Sequence, residues 1–261
     1  MNLNAPKFST FQHDGLQLAY FDEGDPAGPP VLLIHGFAST AAVNWVFPGW
    51  LKTLGEAGYR VIALDNRGHG ASDKPHESEA YYPQLMAADA VALLNHLGIP
   101  EAHVMGYSMG ARISAFVALG HPERVRSLVF GGIGIGICDG VGDWDPIAAA
   151  LLAPSLDVVT DPKGRMFRAF ADQTRSDRFA LAACIETSRT LISRADMGRI
   201  DVPALIGVGT RDDIAGSPQQ LADVMQDVRV IDIPDRDHML AVGDRVFKKA
   251  VLEFYQQFDG A

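Results

Sequence analysis

Residues 104–113 read VMGYSMGARI: an apolar run leads into a serine set between two glycines, and small and apolar residues follow it. A G-x-S-x-G pentapeptide arises by chance, so its surroundings decide whether Ser108 is a nucleophile on a sharp turn or a serine in an ordinary bend. The nucleophile reading needs a buried strand before the serine and a helix after it. AHVMGY (102–107) lacks polar alternation, as a strand covered on both faces does, and Met109 to Leu119 follow as a helix closed by Gly120 and Pro122. Gly106 and Gly110 then have a steric purpose, because a strained serine brings the residues two before and two after it close together.

The same rhythm extends in both directions. Upstream, FSTFQHDGLQLAYFD (8–22) places two alternating runs around His13-Asp14-Gly15, a hairpin signal. VLLIHG (31–36) and YRVIALD (59–65) are further buried strands, with a helix over Trp50 to Glu56 between them. A helix over 83–97 places Leu85, Ala88, Val91, Ala92 and Asn95 on one face and stops at Gly98. VRSLVFGGI (125–133) is the next strand; PALIGVG (203–209), a helix near Pro218 to Met225, VRVIDIP (228–234) and a helix from Asp244 to Phe258 complete the series. Between residues 137 and 198 no strand-like run occurs. Three helix starts stand there instead, at Asp145-Pro146, Asp161-Pro162 and Asp177. We therefore expect an α/β core of residues 1–136 and 200–261 and a helical insertion over 137–199.

A chain of 261 residues with 48% hydrophobic and 21% charged residues is long enough for a substantial core. Its formal net charge of −10, with no cluster of Lys or Arg, argues against nucleic acid as a partner. Cys138 and Cys184 fit no zinc or redox spacing and read as free thiols of a reducing compartment, although a disulfide between them stays open. The N-terminus shows no basic region followed by an apolar stretch, and no apolar run is long enough to span a membrane. A cytoplasmic location and no membrane association are the expectation. GGIGIG (131–136) lacks the third glycine of a dinucleotide fingerprint, and no ligand cluster stands out, so neither cofactor nor metal is expected.

A serine hydroxyl needs a base, itself oriented by a third group, and in this architecture the chain order is Ser, acid, His. Seven of the eight histidines precede residue 203; His238 alone follows it, just past VRVIDIP. The acid belongs in GTRDD (209–213), which offers Asp212 and Asp213. Backbone N–H groups of Phe37, after the VLLIHG strand, and of Met109, after the serine, are the candidate oxyanion donors.

The five segments HGF, DNRGHGAS, GYSMG, GTRDD and DRDHML, in that order, resemble the α/β-hydrolase fold superfamily over nearly the whole chain, in particular its serine carboxylesterase-like members. The resemblance implies an eight-stranded, mostly parallel sheet with the second strand antiparallel, flanking helices and a helical cap at 137–199. It implies Asp212, three residues past Gly209, as the acid, with Asp213 in reserve. It makes the turn carrying His69 architectural rather than catalytic. Branches that use aspartate at the elbow, among them epoxide hydrolases, differ from this chain at Ser108. Carbon–carbon bond hydrolases share the Ser-Met pair but carry a tryptophan shortly after the histidine and an asparagine before the serine, where this chain has MLAVG and Tyr107.

Hydrolysis of small to medium acyl or aryl esters through an acyl-enzyme is the expected function. Enol-lactonase, thioesterase, perhydrolase or carbon–carbon bond chemistry and a catalytically silent binding module are alternatives. Candidate pocket residues are Phe37, Met109, Ile133, Ile135, Trp144, Phe167 and Phe170. Arg112, Arg165 and Arg168 read as exposed helix arginines rather than ligands for an acidic substrate. The oligomeric state is not legible.

Overall fold

Asp14 and Gly15 both take left-handed backbone, φ 52° and 75°, and form the two-residue turn that pairs β1 (Ser9–His13) with β2 (Leu16–Glu23). This computed structural model describes residues 6–140 and 142–259. The reading of the N-terminus falls partly on residues 1–5, outside the described residues, as do Val141 of the expected insertion and the last two residues of the expected core.

The chain continues through β3 (Pro30–Ile34), α1 (Trp50–Glu56), β4 (Arg60–Leu64), α2 (Pro83–His96), β5 (Ala102–Tyr107), α3 (Met109–Gly120) and β6 (Val125–Gly131). Five helices then follow without a strand among the described residues: α4 (Gly136–Asp139), α5 (Asp145–Leu152), α6 (Pro162–Thr174), α7 (Arg178–Thr187) and α8 (Arg194–Met197). β7 (Ala204–Gly209), α9 (Pro218–Ala222), β8 (Val228–Ile233) and α10 (Arg245–Asp259) close it. The eight strands form one sheet in the order β1-β2-β4-β3-β5-β6-β7-β8, and β2 is antiparallel to both of its neighbours. From β4 through β8 every pairing is parallel.

Successive residues of a strand face opposite sides, so an apolar run without alternation serves two cores. Leu32, Ile34, Val104 and Phe130 join α2 and α3 on one face; Val31, Leu33, Met105 and Val129 meet Trp50, Phe247 and Val251 on the other. A third cluster holds Ile147, Leu151, Phe167, Leu181 and Ile185 of the β6–β7 helices against Ala38 and Phe37. No helix among the described residues is long and apolar enough to cross a membrane.

Three local expectations need correction. Val91 of α2 is buried as expected, but its buried neighbours are Met86, Ala87, Asp89, Ala90, Leu93 and Leu94, whereas Leu85, Ala88 and Ala92 are half-buried and Asn95 is exposed. Apolar residues occur on every side of this helix, and the deciding contact is polar: Arg67 clamps Asp89 with bonds of 2.7 and 2.8 Å. Asp161 and Asp177 cap α6 and α7 through their carboxylates, but Asp145 is the first residue of its helix and caps nothing. Asp143 instead accepts the Asp145 N–H at 3.0 Å. Among the helix arginines, Arg165 is exposed as expected, while Arg112 and Arg168 are each only 4% exposed. Arg168 donates to the carbonyls of Ala150 and Ala153 and pairs with Asp172, a buried tie between α5 and α6.

The loop after β3 is shaped by two buried histidines. His35 Nδ1–H donates to Gly36 O at 2.8 Å while Nε2 accepts the Asn66 N–H at 3.0 Å. His69 Nδ1–H donates to Arg67 O at 2.9 Å and Nε2 accepts the Ala38 N–H at 3.2 Å. That last bond holds Ala38 at φ 58°, a left-handed conformation costly for a residue with a Cβ. A proton on either Nε2 would face an N–H donor, so both rings must be neutral. Burial lowers the His35 pKa from 6.5 to about 4; burial and the His35 charge lower that of His69 to about 3.

Two predictions arise. The unfolded chain takes up protons on these histidines below about pH 6.5, whereas the folded chain does not. Their contribution is therefore complete above that pH and is lost as pH falls toward 4, with a slope approaching about 2.7 kcal/mol per pH unit for two protons. Urea unfolding across pH 7 to 4 should show a pH dependence shallower by about one proton in His69→Asn; equal slopes would refute the assignment. Second, a Cβ on Gly110 would overlap the Ile34 carbonyl, so Gly110→Ala should lower stability by about 3 kcal/mol or more. Gly120→Ala, where no atom lies within 4 Å of the new Cβ, is the control in the same denaturation series.

Candidate active site

Ser108 occupies the step between β5 and α3 with φ 54° and ψ −112°, a region side chains rarely adopt. Its N–H donates to Gly131 O at 2.8 Å, and its carbonyl accepts from Ala111 and Arg112 in the first turn of α3. A Cβ on Gly106 would collide with the Gly110 carbonyl, just as one on Gly110 would collide with β3. The two glycines let strand, turn and helix pack backbone to backbone, which holds Oγ proud of the sheet's C-terminal edge.

His238 follows β8 and is 7% exposed. Its Nε2 lies 3.0 Å from Ser108 Oγ and its Nδ1 2.8 Å from Asp212 Oδ2. The Asp212 side chain is fully buried, and its second oxygen accepts N–H bonds from Ile214 and Ala215 at 2.9 Å each. These fix the carboxylate plane, so Nδ1–H donates to Asp212 and Nε2 is left as an acceptor toward the serine. Asp213, the reserve candidate, is exposed to solvent. Tyr107, whose sequence position gave no hint of this, donates its hydroxyl to the His238 carbonyl at 2.6 Å and lies 5.6 Å, centre to centre, from the imidazole.

Met109 begins α3, where the first-turn N–H groups have no acceptor within the helix. Phe37 stands between Gly36, whose N–H bonds Asn44 Oδ1 at 3.2 Å, and the strained Ala38. Both residues border a cavity of about 260 Å³ that also exposes Ser108 and His238. Ile133, Trp144, Phe167 and Phe170 line it, as expected from the sequence.

Ile135 does not. Gly132 turns the chain with φ 61°, and the next residues join the 215–217 loop through Gly134 N–H to Ala215 O and Ile135 N–H to Ser217 O. Ile133 therefore faces the cavity while Ile135 is buried in the core. Arg112 lines the cavity from α3, and Arg189, unnoticed in the sequence, lines it from the segment after α7. Both cysteines are free thiols; burial raises the Cys184 thiol to about 12 and keeps it protonated beside Met109.

Comparison with known proteins agrees with this architecture. A family model described as the alpha/beta hydrolase fold matches residues 29–165. Bifunctional epoxide hydrolase 2 of Rattus norvegicus is 37% identical over 114 residues, which are 44% of this chain; the match spans only 20% of that protein. A Mycobacterium tuberculosis protein named as a non-heme bromoperoxidase, BpoC, is 31% identical over 248 residues, 86% of this chain and 91% of that one. A solved hydrolase from Pseudomonas aeruginosa PA01 superposes with a TM-score of 0.78 at 25% identity, covering 99% of this chain and all of that one. With the sheet order, the elbow and these matches together, the chain belongs to the alpha/beta hydrolase fold family.

Proposed function

We propose that the protein is a serine hydrolase that cleaves carboxylic esters of small to medium acyl or aryl groups through an acyl-enzyme. The observation that carries this reading is the unbroken contact from Asp212 through His238 to Ser108 at 2.8 and 3.0 Å, opening on a largely apolar cavity. Ser108 Oγ attacks the ester carbonyl as His238 Nε2 takes its proton. The N–H groups of Phe37 and Met109 hold the oxyanion, and Asp212 stabilises the imidazolium. The proton passes to the departing alcohol oxygen. Water, deprotonated by the same histidine, then attacks the acyl carbon and releases the acid and free Ser108.

Residues 137–199 act in this reading as a cap whose aromatic residues close the acyl pocket. The sequence match to the rat epoxide hydrolase covers 44% of the chain, and epoxide hydrolases of this fold use aspartate where this chain has Ser108. An ester route suits the hydroxyl nucleophile.

Tyr107 is a positioning residue. Its buried hydroxyl anchors the main chain of His238 and, with Asp212 on the ring, fixes the base in two directions.

A p-nitrophenyl ester series from acetate to laurate, with phenylmethylsulfonyl fluoride labelling mapped by mass spectrometry, tests the reading. Wild type should hydrolyse the shorter esters and carry the label on Ser108, and Ser108→Ala should lose at least about 10³-fold in kcat. Labelling without ester turnover would move the assignment to enol-lactone or carbon–carbon chemistry, and absence of both would leave a binding module. Tyr107→Phe should lower kcat about tenfold with KM little changed, the loss expected for one buried hydrogen bond. A fall confined to KM would refute its positioning role.

A further inference from the structure

The cavity beside Ser108 contains a charge imbalance that ester hydrolysis alone does not explain. Arg112 lies one helical turn beyond Ser108, its own N–H bonded to the Ser108 carbonyl at 3.2 Å. Its Nη1 donates to Ile137 O at 2.9 Å and Thr190 O at 2.7 Å, and its other nitrogens donate to no described residue. Arg189, next to the Thr190 whose carbonyl Arg112 bonds, also lines the cavity; it is half-buried, its guanidinium stacked on Trp144 with 3.4 Å to the ring centre.

Among the described residues neither arginine makes an ion pair, although Asp143, Asp145 and Glu186 border a second cavity that Arg189 also lines. This occurs in a chain with 32 acidic and 22 basic residues. Burial lowers the Arg112 pKa to about 10, and burial with repulsion from Arg112 lowers that of Arg189 to about 9.

An unpaired buried cation is costly, and a planar guanidinium is the side chain best matched to a carboxylate. Two guanidiniums bordering a largely apolar cavity supply donors with no carboxylate paired to them among the described residues. We propose that the substrate is an ester that also carries a free carboxylate, which Arg112 and Arg189 bind while Ser108 attacks the ester carbonyl. This rests on the serine-hydrolase reading above and narrows it to acidic esters. The cavity of about 260 Å³ suits a small monoester. Because the molecule as a whole is anionic, attraction of such a substrate must come from these local contacts rather than from net charge.

Two substrate pairs place the carboxylate on either side of the ester: mono-4-nitrophenyl glutarate against 4-nitrophenyl valerate, and 4-carboxyphenyl butyrate against phenyl butyrate. In at least one pair wild type should prefer the acidic ester tenfold or more in kcat/KM. Arg189→Met should cut that ratio at least tenfold, mainly through KM, with part of the preference restored in Arg189→Lys. Arg199→Met removes an arginine that is 72% exposed and should leave the ratio unchanged. Neutral esters preferred in both pairs, a ratio insensitive to Arg189→Met, or an equal effect of Arg199→Met would overturn the proposal while leaving ester hydrolysis standing. Turnover of neither kind would instead sink the ester-hydrolysis reading. Calorimetric titration with glutarate then decides the carboxylate site alone: binding lost in Arg189→Met supports it, and no binding by wild type refutes it.

Discussion

Ser108 can hold φ 54° because the first turn of α3 lies directly on the backbone of β3, with no side chain between them at Gly110. Backbone strain of this kind costs on the order of 1–3 kcal/mol and persists only where the surroundings over-determine it. Here the surroundings are two apolar cores, one on each face of the sheet, that fix β3, β5 and β6 whatever the turn does. The Ser108 N–H to Gly131 carbonyl bond ties the turn to the neighbouring strand as well. The same close approach sets the entry of α3, and so where the Met109 N–H points relative to Oγ. Nucleophile and one proposed oxyanion donor are thus consequences of a single packing event.

Buried polar groups divide sharply by whether they find partners. Arg67, 1% exposed, is neutralised by a bidentate Asp89 and bonded to the Ala80 carbonyl. Asp65 makes no ion pair among the described residues, but its two oxygens accept the N–H groups of Ala41 and Ala71 at 2.7 and 2.9 Å; a Cβ on Gly70 would overlap the same carboxylate. His35 and His69 avoid the cost of charge by staying neutral. Arg112 finds two backbone carbonyls but no carboxylate, and half-buried Arg189 stacks on Trp144; both line the cavity that holds Ser108.

The sheet was legible because parallel strands covered on both faces leave a signature that needs no partner information: VLLIHG, AHVMGY and PALIGVG are apolar at every step or nearly so. The candidate triad was legible because the elbow architecture restricts where an acid and a base can fall along the chain, and one histidine satisfied it. What escaped depended on a partner distant in sequence. The face of α2 is chosen by Arg67, 22 residues before Asp89, and the burial of Arg112 by carbonyls of Ile137 and Thr190. Tyr107 acts on a carbonyl 131 residues away. Ile135 was misplaced by a left-handed glycine, which breaks the alternation that a strand pattern would continue. Periodicity describes how a segment divides water from core. It does not say which polar atom waits on the other side.

The loop carrying Phe37 is held from two directions, and this couples chemistry to pocket shape. From below, His69 pins Ala38 and Asn44 pins Gly36. From above, Phe37 packs on Phe167 at 5.5 Å between ring centres, and Ala38 lies in the cluster formed by α5, α6 and α7. Phe167 in turn touches Trp144, on which Arg189 stacks. A displacement of the helices between β6 and β7 would therefore reach the proposed oxyanion donor through Phe37 and the proposed carboxylate anchor through Trp144 at once. In the proposed reading, an anion bound at Arg189 would steady the Trp144–Phe167 contact that supports this loop. Under that proposal a substrate carboxylate would also help hold the N–H group proposed to receive its oxyanion, a route by which distal binding energy becomes selectivity in kcat/KM.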